Sequence, residues 1–279
     1  MKRIRWLWLA LSFLLIGFIG WTMWENGSPT ITHATIEHED IPNSFSGFRI
    51  ALISDLHNAE YGNNNEKLLT MLRQEDPDMI ALVGDFVDSR RTDFEVSLHF
   101  AEQAIAIAPI YYVLGNHEAR LTEDFPAFEQ QLKNLGVTVL RNNEAHIQRN
   151  GQFIRIIGID DPMTVTKKRG ENEAVILHAL SQFDWESELY TVLLSHRPEM
   201  FDAYCQYRVD LALTGHNHGG LIRIPGIGGL YAGEQFFPFY DAGLFEKEET
   251  AMYLSRGAGN SSYTFRINNR PEIVILTLA

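Results

Sequence analysis

Short apolar runs that end at metal-binding side chains are the feature that most constrains this sequence. Three such runs are spaced about thirty residues apart, at 48–54, 78–83 and 110–114. The first is followed by Asp55, the second by Gly84-Asp85 and the third by Gly115-Asn116-His117. Nearly continuous apolar runs of this length predict buried strands. Open α/β sheets bind ligands where their strands end, so we expect an α/β domain with a polar site along one sheet edge.

The rest of the sequence predicts further strands and several amphipathic helices. Helices are expected at 93–107, at 171–182 and at 63–74, where an asparagine run could cap the first turn. Further strands are expected at 153–159, 189–194, 209–213, 252–255 and 272–278. Strand-rich halves of this kind favour two packed sheets with helices outside, which is a four-layer α/β/β/α sandwich. We expect this domain to occupy residues 48–279.

Five polar motifs follow one another along the chain and supply carboxylate, amide and imidazole groups. They are Asp55-Leu56-His57, Gly84-Asp85-Phe86-Val87-Asp88, Gly115-Asn116-His117-Glu118, Ser195-His196-Arg197 and Gly215-His216-Asn217-His218. Such an oxygen and nitrogen set, with no thiol, suits two divalent ions held close together, and Mn²⁺, Fe or Zn²⁺ are the expected metals. Open positions on those ions would admit a phosphate ester and a water.

The spacing of the motifs suggests which residues hold each ion. Asp55 and His57 are separated by one residue, so on an extended segment both side chains point the same way. We assign the first ion to Asp55, His57, Asp85 and His218, and the second ion to Asp85, Asn116, His196 and His216. Asp85 is shared because a carboxylate between two ions can bridge them.

Three neighbouring residues are expected to act beside the metals. His117 follows a ligand in sequence and is free to donate a proton to the leaving oxygen. Glu118 is expected to orient His117, and Asp88 is expected to support the metal site from outside the ligand set.

An acidic composition limits the classes of partner. The formal net charge is −13, so the chain lacks the basic stripe with which proteins bind long nucleic acids, and we expect no nucleic-acid partner. Cys205 is the one cysteine in the sequence. A single cysteine excludes an internal disulfide and a cysteine-based zinc site.

The N-terminus has the pattern of a membrane anchor. Residues 1–5 form a basic flank, and residues 6–24 form an uncharged run of 19 residues with tryptophans near both ends. That run, about 28 Å long as a helix, matches the bilayer core. Basic residues stay on the cytoplasmic side, so we expect a polar linker at 25–47 and the remaining domain outside the cytoplasm. A cleaved signal peptide is the alternative, but the run is long for one and no small-residue cleavage site follows it closely.

The five motifs, in this order and at these spacings, resemble those of the calcineurin-like metallophosphoesterase superfamily over residues 47–279. Segments after the last motif, 219–225, 236–238 and 255–257, resemble the bacterial membrane-anchored branch of that superfamily. The resemblance implies the four-layer sandwich, a two-metal centre and hydrolysis by a metal-bridging hydroxide. It also implies the ligand roles assigned above and His117 as the catalytic histidine.

The expected activity is hydrolysis of a phosphate ester, either a diester or a monoester, outside the cell membrane. Some members of the anchored branch are pyrophosphatases of the UDP-2,3-diacylglucosamine type, so a lipid-linked substrate is one alternative. The aromatic segment 221–245 fits either an apolar rim that faces the bilayer or a loop packed over the sheet edge. A non-catalytic, metal-dependent binding module is the alternative from another class.

Overall fold

The computed structural model describes residues 2–232, 235–260 and 265–279. Its α-helices are α1 (Lys2–Asn26), α2 (Glu66–Glu75), α3 (Phe94–Ala104), α4 (Phe125–Asn134), α5 (Asn172–Leu180) and α6 (Phe201–Gln206). Its strands are β1 (Thr30–Ile36), β2 (Arg49–Ile53), β3 (Met79–Val83), β4 (Ile110–Val113), β5 (Thr138–Val139), β6 (Asn143–Arg149), β7 (Gln152–Gly158), β8 (Thr191–Leu194), β9 (Leu211–Thr214), β10 (Arg223–Ile224), β11 (Gly228–Gly229), β12 (Tyr231–Ala232), β13 (Gln235–Phe236), β14 (Gly243–Lys247), β15 (Thr250–Leu254) and β16 (Glu272–Leu278).

Two sheets of six strands each form the centre of the described structure. The spatial order is β1-β16-β2-β3-β4-β5 in the first sheet and β14-β15-β9-β8-β7-β6 in the second. Strands β2 to β5 run parallel to one another, and so do β7, β8, β9 and β15. The carboxyl ends of these strands are therefore gathered at one edge of each sheet, where ligands bind in open sheets.

Apolar side chains fill the space between the sheets and on both outer faces. Between the sheets, Leu52 and Val83 of the first sheet share a buried cluster with Ile156 and Leu213 of the second. The outer face of the first sheet packs against α2, α3 and α4, and the outer face of the second packs against α5 and α6. The four-layer α/β/β/α sandwich expected from the sequence is therefore confirmed.

The helix predicted at 63–74 begins later than expected. Its first three residues form a 3-10 turn, and α2 begins at Glu66. The side chain of Asn65 makes no capping bond, because it accepts from the backbone N–H of Tyr61 and donates to the carbonyl of Ala59. The expected asparagine cap is wrong, and this asparagine instead fixes the loop that follows the first ligand motif.

The segment 25–47, expected to be a linker, contains a strand of the first sheet. β1 pairs in parallel with β16 along its whole length, from Thr30 opposite Glu272 to Ile36 opposite Leu278. Five of the seven residues of β1 are β-branched, and such residues favour strands. The linker prediction is wrong for residues 30–36, because an edge strand carries enough polar side chains to resemble a tether.

The N-terminal helix α1 contains the whole uncharged run of the sequence. Its most apolar stretch has a mean hydropathy of 1.8, and only 6% of that stretch is buried. Among the described residues, α1 is the one helix whose length and composition would allow it to cross a membrane.

Candidate metal centre

The seven predicted ligands lie on loops that follow five strands of the two sheets. They are Asp55 and His57 after β2, Asp85 after β3, Asn116 after β4, His196 after β8, and His216 and His218 after β9. Each sheet contributes through the carboxyl ends of its parallel strands. Packing the two sheets face to face therefore brings together residues that are more than 160 positions apart in the sequence.

The first group of candidate ligands joins Asp55, His57 and His218, whose donor atoms lie within 4.8 Å of one another. Nε2 of His218 is 3.4 Å from Oδ1 of Asp55. Nε2 of His57 is 3.2 Å from Nε2 of His218. These three residues are the ones that we assigned, together with Asp85, to the first ion.

The second group joins Asp85, His196 and His216, again with donor atoms within 4.8 Å of one another. Nε2 of His196 lies 3.3 Å from Oδ2 of Asp85. The same carboxylate oxygen lies 3.6 Å from Nε2 of His57, which belongs to the first group. Asp85 thus stands between the two groups, in the position that a bridging carboxylate requires.

Two candidate ligand atoms, Oδ1 of Asn116 and Nε2 of His196, are buried without a hydrogen-bond partner. Nδ1 of His196 lies 2.9 Å from the carbonyl of Val83. Since a carbonyl only accepts, Nδ1 carries the proton and the neutral ring has its lone pair on Nε2. A buried polar atom without a partner costs about 1–3 kcal/mol, which a bound cation removes. The donor set therefore fits a divalent metal.

The electrostatics of the site favour positive charge. Burial lowers the pKa of His196, but the carboxylates of Asp85 and Asp55 outweigh burial and raise that pKa to about 10. Burial holds the pKa of His57 and of His216 well below the usual range. The two buried carboxylates thus attract positive charge. Without a metal the protonated ring of His196 supplies that charge, and a cation bound between the carboxylates would supply it in its place.

Most of the candidate ligands adopt a left-handed backbone conformation. The φ angles are 52° at Asp55, 48° at His57, 51° at Asp85, 75° at His216 and 46° at His218. Aspartate and histidine tolerate this region better than most residues, although each such position stores strain. Our expectation that Asp55 and His57 lie on an extended segment is therefore wrong. Sharp turns, and not strand alternation, aim both side chains at one site.

Glycines allow the ligand loops to approach one another closely. A Cβ atom at Gly115 would collide with the backbone nitrogen and the carboxylate of Asp85. A Cβ atom at Gly215 would lie 2.5 Å from Oδ2 of Asp55. The two carboxylates can therefore lie against the opposite loops only because these positions carry no side chain.

His117 is fixed with one ring nitrogen turned toward the site. Its backbone N–H donates to Oδ1 of Asp85 over 2.8 Å. Its Nδ1 accepts from the backbone N–H of Ser89 at 3.0 Å and lies 3.4 Å from Oδ1 of Asp88. Because an N–H only donates, the neutral ring carries its proton on Nε2, which lies 4.0 Å from Oδ2 of Asp85. Burial lowers the pKa of His117, which favours this neutral form.

Glu118 was expected to orient His117 and instead binds the backbone of three turns. Its carboxylate accepts the N–H groups of Asp85, Val87 and Gly115 at 2.8–2.9 Å. The carboxylate is buried, and burial raises the pKa of Glu118 to about 7. Glu118 therefore holds the loops that carry Asp85 and Asn116 together, while Ser89 and Asp88 contact the His117 ring.

Three residues to which the sequence motifs assign no role also contact the site, namely Arg197, Asp161 and Arg266. Arg197 binds both oxygens of Asp161, and its Nη1 lies 2.8 Å from Nε2 of His216. Nη2 of Arg266 lies 3.1 Å from Nδ1 of His218. Each guanidinium donates to a ring nitrogen, so metal binding at either histidine displaces a proton or shifts the arginine.

The positions of two of these three residues in the sequence could have suggested that they lie at the site. Asp161 follows β7 by three positions, as the ligand motifs follow their own strands, and Arg197 directly follows His196. Arg266 lies in an irregular segment between β15 and β16 and has no comparable signal.

A cavity of about 370 Å³ opens beside the second group of candidate ligands. Its lining includes His216 and Arg197 as well as Phe239 and Tyr240. A guanidinium and an imidazole beside aromatic rings suit an anionic ester that carries an apolar or aromatic substituent.

Another cavity, of about 1090 Å³, contains none of the predicted ligands. Its lining includes Glu37, Asp40, Asp210 and Glu248. Carboxylates in this number repel a phosphate ester, so electrostatics favours the smaller cavity as the substrate site.

The sequence matches the profile of a family described as calcineurin-like phosphoesterase over residues 48–220. It is 27% identical to the uncharacterized metallophosphoesterase YkuE of Bacillus subtilis, over 88% of this chain and 84% of that protein. It is 29% identical to the phosphodiesterase YaeI of Escherichia coli, over 83% of this chain and 82% of that protein. A zebrafish (Danio rerio) transmembrane protein with a metallophosphoesterase domain is 27% identical over 90% of this chain and 57% of its own length.

Solved structures resemble the fold at low sequence identity. TT1561 of Thermus thermophilus superposes with a TM-score of 0.52 at 12% identity, over 77% of this chain and 90% of that chain. The sulfate thiohydrolase SoxB of the same genus superposes with a TM-score of 0.51 at 13% identity, over 86% of this chain and 58% of that chain. These similarities concern the sandwich architecture alone.

Proposed function

Because the chain belongs to the calcineurin-like phosphoesterase family and is a metal-dependent phosphoesterase, we propose that it is a membrane-anchored phosphodiesterase with a two-metal centre. The observation that carries the proposal is the position of Asp85, whose Oδ2 lies 3.6 Å from Nε2 of His57 and 3.3 Å from Nε2 of His196. One carboxylate can thus serve two ions. The similarity to YaeI, which is described as a phosphodiesterase, supports the choice of a diester.

We assign the ligands as the motifs suggest. Asp55, His57 and His218 hold the first ion, Asn116, His196 and His216 hold the second, and Asp85 is common to both. When bound, two divalent ions would neutralise phosphoryl oxygens and lower the pKa of a nucleophilic water. Mn²⁺, Fe and Zn²⁺ all suit the oxygen and nitrogen donors, and this assignment uses no thiol.

His117 is proposed to protonate the leaving oxygen. Its Nδ1 accepts from Ser89, so the proton of the neutral ring is on Nε2. That nitrogen lies on the side of Asp85, where a substrate phosphate would bind. Arg197, which lines the cavity beside His216, is placed to bind an anionic oxygen of the ester.

Residues 6–24 are proposed to span a membrane, with residues 1–5 in the cytoplasm and the phosphoesterase domain outside. The length and hydropathy of α1 support the span. The basic flank before the run, with no lysine or arginine after it until Arg49, supports the orientation. The zebrafish relative, named a transmembrane protein, is consistent with an anchor.

A second candidate is a pyrophosphatase of the UDP-2,3-diacylglucosamine type, which acts on a lipid-linked diphosphate. The specific observation in its favour is Phe239, which lines the cavity beside His216 and is 82% exposed. An exposed aromatic ring at the mouth of a phosphate site suits a substrate with an acyl chain.

The test is metal-dependent turnover by the full chain in detergent or nanodiscs. Bis-p-nitrophenyl phosphate and p-nitrophenyl phosphate would be compared after EDTA treatment and after Mn²⁺ or Zn²⁺ is restored. We expect turnover that depends on metal and favours the diester. Faster turnover of the monoester would contradict the diesterase proposal, and turnover that survives EDTA would contradict the metal centre.

A further inference from the structure

The end of the N-terminal helix is hydrogen-bonded directly to the phosphoesterase domain. The side chain of Asn26 accepts from the backbone N–H of Arg266 and donates to its carbonyl, each over 2.8 Å. Glu25 is buried, and its Oε2 accepts from the backbone N–H of Asn268 over 2.8 Å. The guanidinium of Arg270 lies over the ring of Trp24 at 5.2 Å. These contacts fix the orientation of the domain relative to α1.

The segment 266–270, which binds the end of α1, also contacts the candidate metal site. Arg266 is completely buried and its guanidinium contacts Nδ1 of His218 and the carbonyl of Gly259. One arginine thus separates the end of α1 from a candidate metal ligand. The site must therefore lie on the side of the domain to which the helix is attached.

Residues 267 and 268 of the same segment contact the first of two short hairpins beside the cavity, β10-β11 and β12-β13. Asn268 donates to the carbonyl of Arg223, and Ile222 forms a bridge with Ile267. Leu230 donates to the carbonyl of Ile222, and Phe237 donates to the carbonyl of Leu230. A continuous series of side-chain and backbone hydrogen bonds therefore connects the end of α1 with β13 and the residues after it.

Aromatic side chains are exposed along this connected region. Phe236 is 70% exposed, Phe237 57%, Phe239 82% and Phe265 52%. We call these four residues the aromatic rim. Exposed large apolar side chains can mark a protein or membrane contact, and phenylalanine is among the residues that interfacial segments bury at the boundary between headgroups and acyl chains.

We propose that the aromatic rim contacts the surface of the bilayer that holds α1, so that the cavity beside His216 opens at the headgroup layer. This inference rests on the membrane anchor in the proposed function. Continuity with the end of α1 favours the bilayer as the occupant over a second protein. The fixed hydrogen bonds of Asn26 and Glu25 keep the rim at a constant distance from the membrane, which a flexible linker would not do.

Site-specific fluorescence quenching of the full chain in liposomes tests this contact. Single cysteines are introduced as Phe236→Cys and Phe237→Cys, labelled with bimane and exposed to lipids that carry a quencher near the headgroup. Cys205 is buried and gives a background that the unmodified chain measures. Leu11→Cys, in the middle of α1, is read with lipids that carry the quencher in the acyl chain and reports insertion of the helix. Phe153→Cys is the matched control, because Phe153 is also exposed but lies near the start of β7, at the opposite edge of the sheet.

The expected result is loss of fluorescence at positions 236 and 237 and no loss at position 153. Quenching at position 11 with none at 236 or 237 would overturn the rim contact and leave the anchor intact. No quenching at position 11 would overturn the anchor and with it the rim contact. Equal quenching at 153 and 236 would mean that the domain contacts lipid without a preferred face, which also contradicts the proposal. Turnover of bis-p-nitrophenyl phosphate by each labelled variant tests the phosphoesterase activity independently of the lipid contact.

Discussion

Asn26, the last residue of the N-terminal helix, exchanges two hydrogen bonds with the backbone of Arg266. The two residues are 240 positions apart, yet their contact joins the helix to the segment that supports His218. The helix and the site are therefore parts of one structural unit.

Replacing Asn26 with alanine should destabilise the domain and lower its turnover. The two hydrogen bonds of its side chain with the backbone of Arg266 are lost, which together contribute about 1–3 kcal/mol. Chemical unfolding of the full chain in detergent measures the loss. Asn134→Ala, an exposed residue at the end of α4, is the control and should have little effect. Equal unfolding free energies for both variants would show that the helix contact is not stabilising.

Replacing His117 with alanine should reduce kcat by about 10²–10⁴-fold, the usual contribution of a general acid. The metal content should stay unchanged, because His117 is not one of the assigned ligands. Turnover of bis-p-nitrophenyl phosphate and metal analysis of the same sample measure both quantities. Loss of metal together with activity would mean that His117 is a ligand, and full activity would mean that the proton comes from elsewhere.

Replacing Glu118 with alanine should be strongly destabilising. Three buried backbone N–H groups, those of Asp85, Val87 and Gly115, lose their acceptor. Each unsatisfied group costs about 1–3 kcal/mol. Urea unfolding of Glu118→Ala, Glu118→Gln and the exposed control Glu102→Ala should give clearly the lowest stability for the alanine variant at position 118. A Glu118→Ala variant as stable as Glu102→Ala would contradict the role assigned to this carboxylate.

Glu129 should contribute stability that disappears in acid. Burial raises the pKa of Glu129, but Lys133 and Arg141 outweigh it and hold the pKa below its ordinary value of 4.5. A carboxyl group with a lowered folded pKa stabilises the fold above its unfolded pKa and loses that contribution as the pH falls through the folded value. Wild type should therefore exceed Glu129→Gln in unfolding free energy near pH 7, by about 1 kcal/mol or less.

The difference between these two proteins should shrink as the pH falls below 4.5. Denaturant titrations at a series of pH values measure it, and the exposed Glu123→Gln variant corrects for the loss of one charge. A difference in unfolding free energy that grows as the pH falls would contradict the lowered pKa of Glu129 in the folded protein.

The clustering of the candidate ligands could be predicted from the sequence because each motif comes after a buried strand. Parallel strands end at a common edge, so apolar runs followed by Asp55, Asp85 and Asn116 indicate both the sheet and the site. The backbone conformation could not be predicted in the same way. The left-handed φ angles at Asp55 and His57 belong to the loop after β2, and no pattern of apolar and polar residues indicates them.

The contacts around the candidate ligands could not be predicted from the sequence, because they join distant segments and follow no periodic pattern. Glu118 looked like a partner of His117, its neighbour in sequence, but its acceptors are used by backbone N–H groups. Asn26 ends α1 and Arg266 lies between β15 and β16, 240 positions away. No repeating pattern in the sequence indicates that these two residues are in contact. The strand β1 was missed because its three threonines and one histidine resemble a polar tether.

The most direct test of the two-metal centre is the metal content of Asp85→Asn. Wild type and Asp85→Asn are purified as full chains, stripped with EDTA, reloaded with Mn²⁺ and analysed by mass spectrometry for metal per chain. The exposed residue Asp76 provides the control variant Asp76→Asn. We predict about two ions in wild type and in the control, as in other two-metal sites, and a clear loss of metal and of diester turnover in Asp85→Asn. An Asp85→Asn protein that keeps both ions and full turnover would contradict the assignment of Asp85 as the shared ligand.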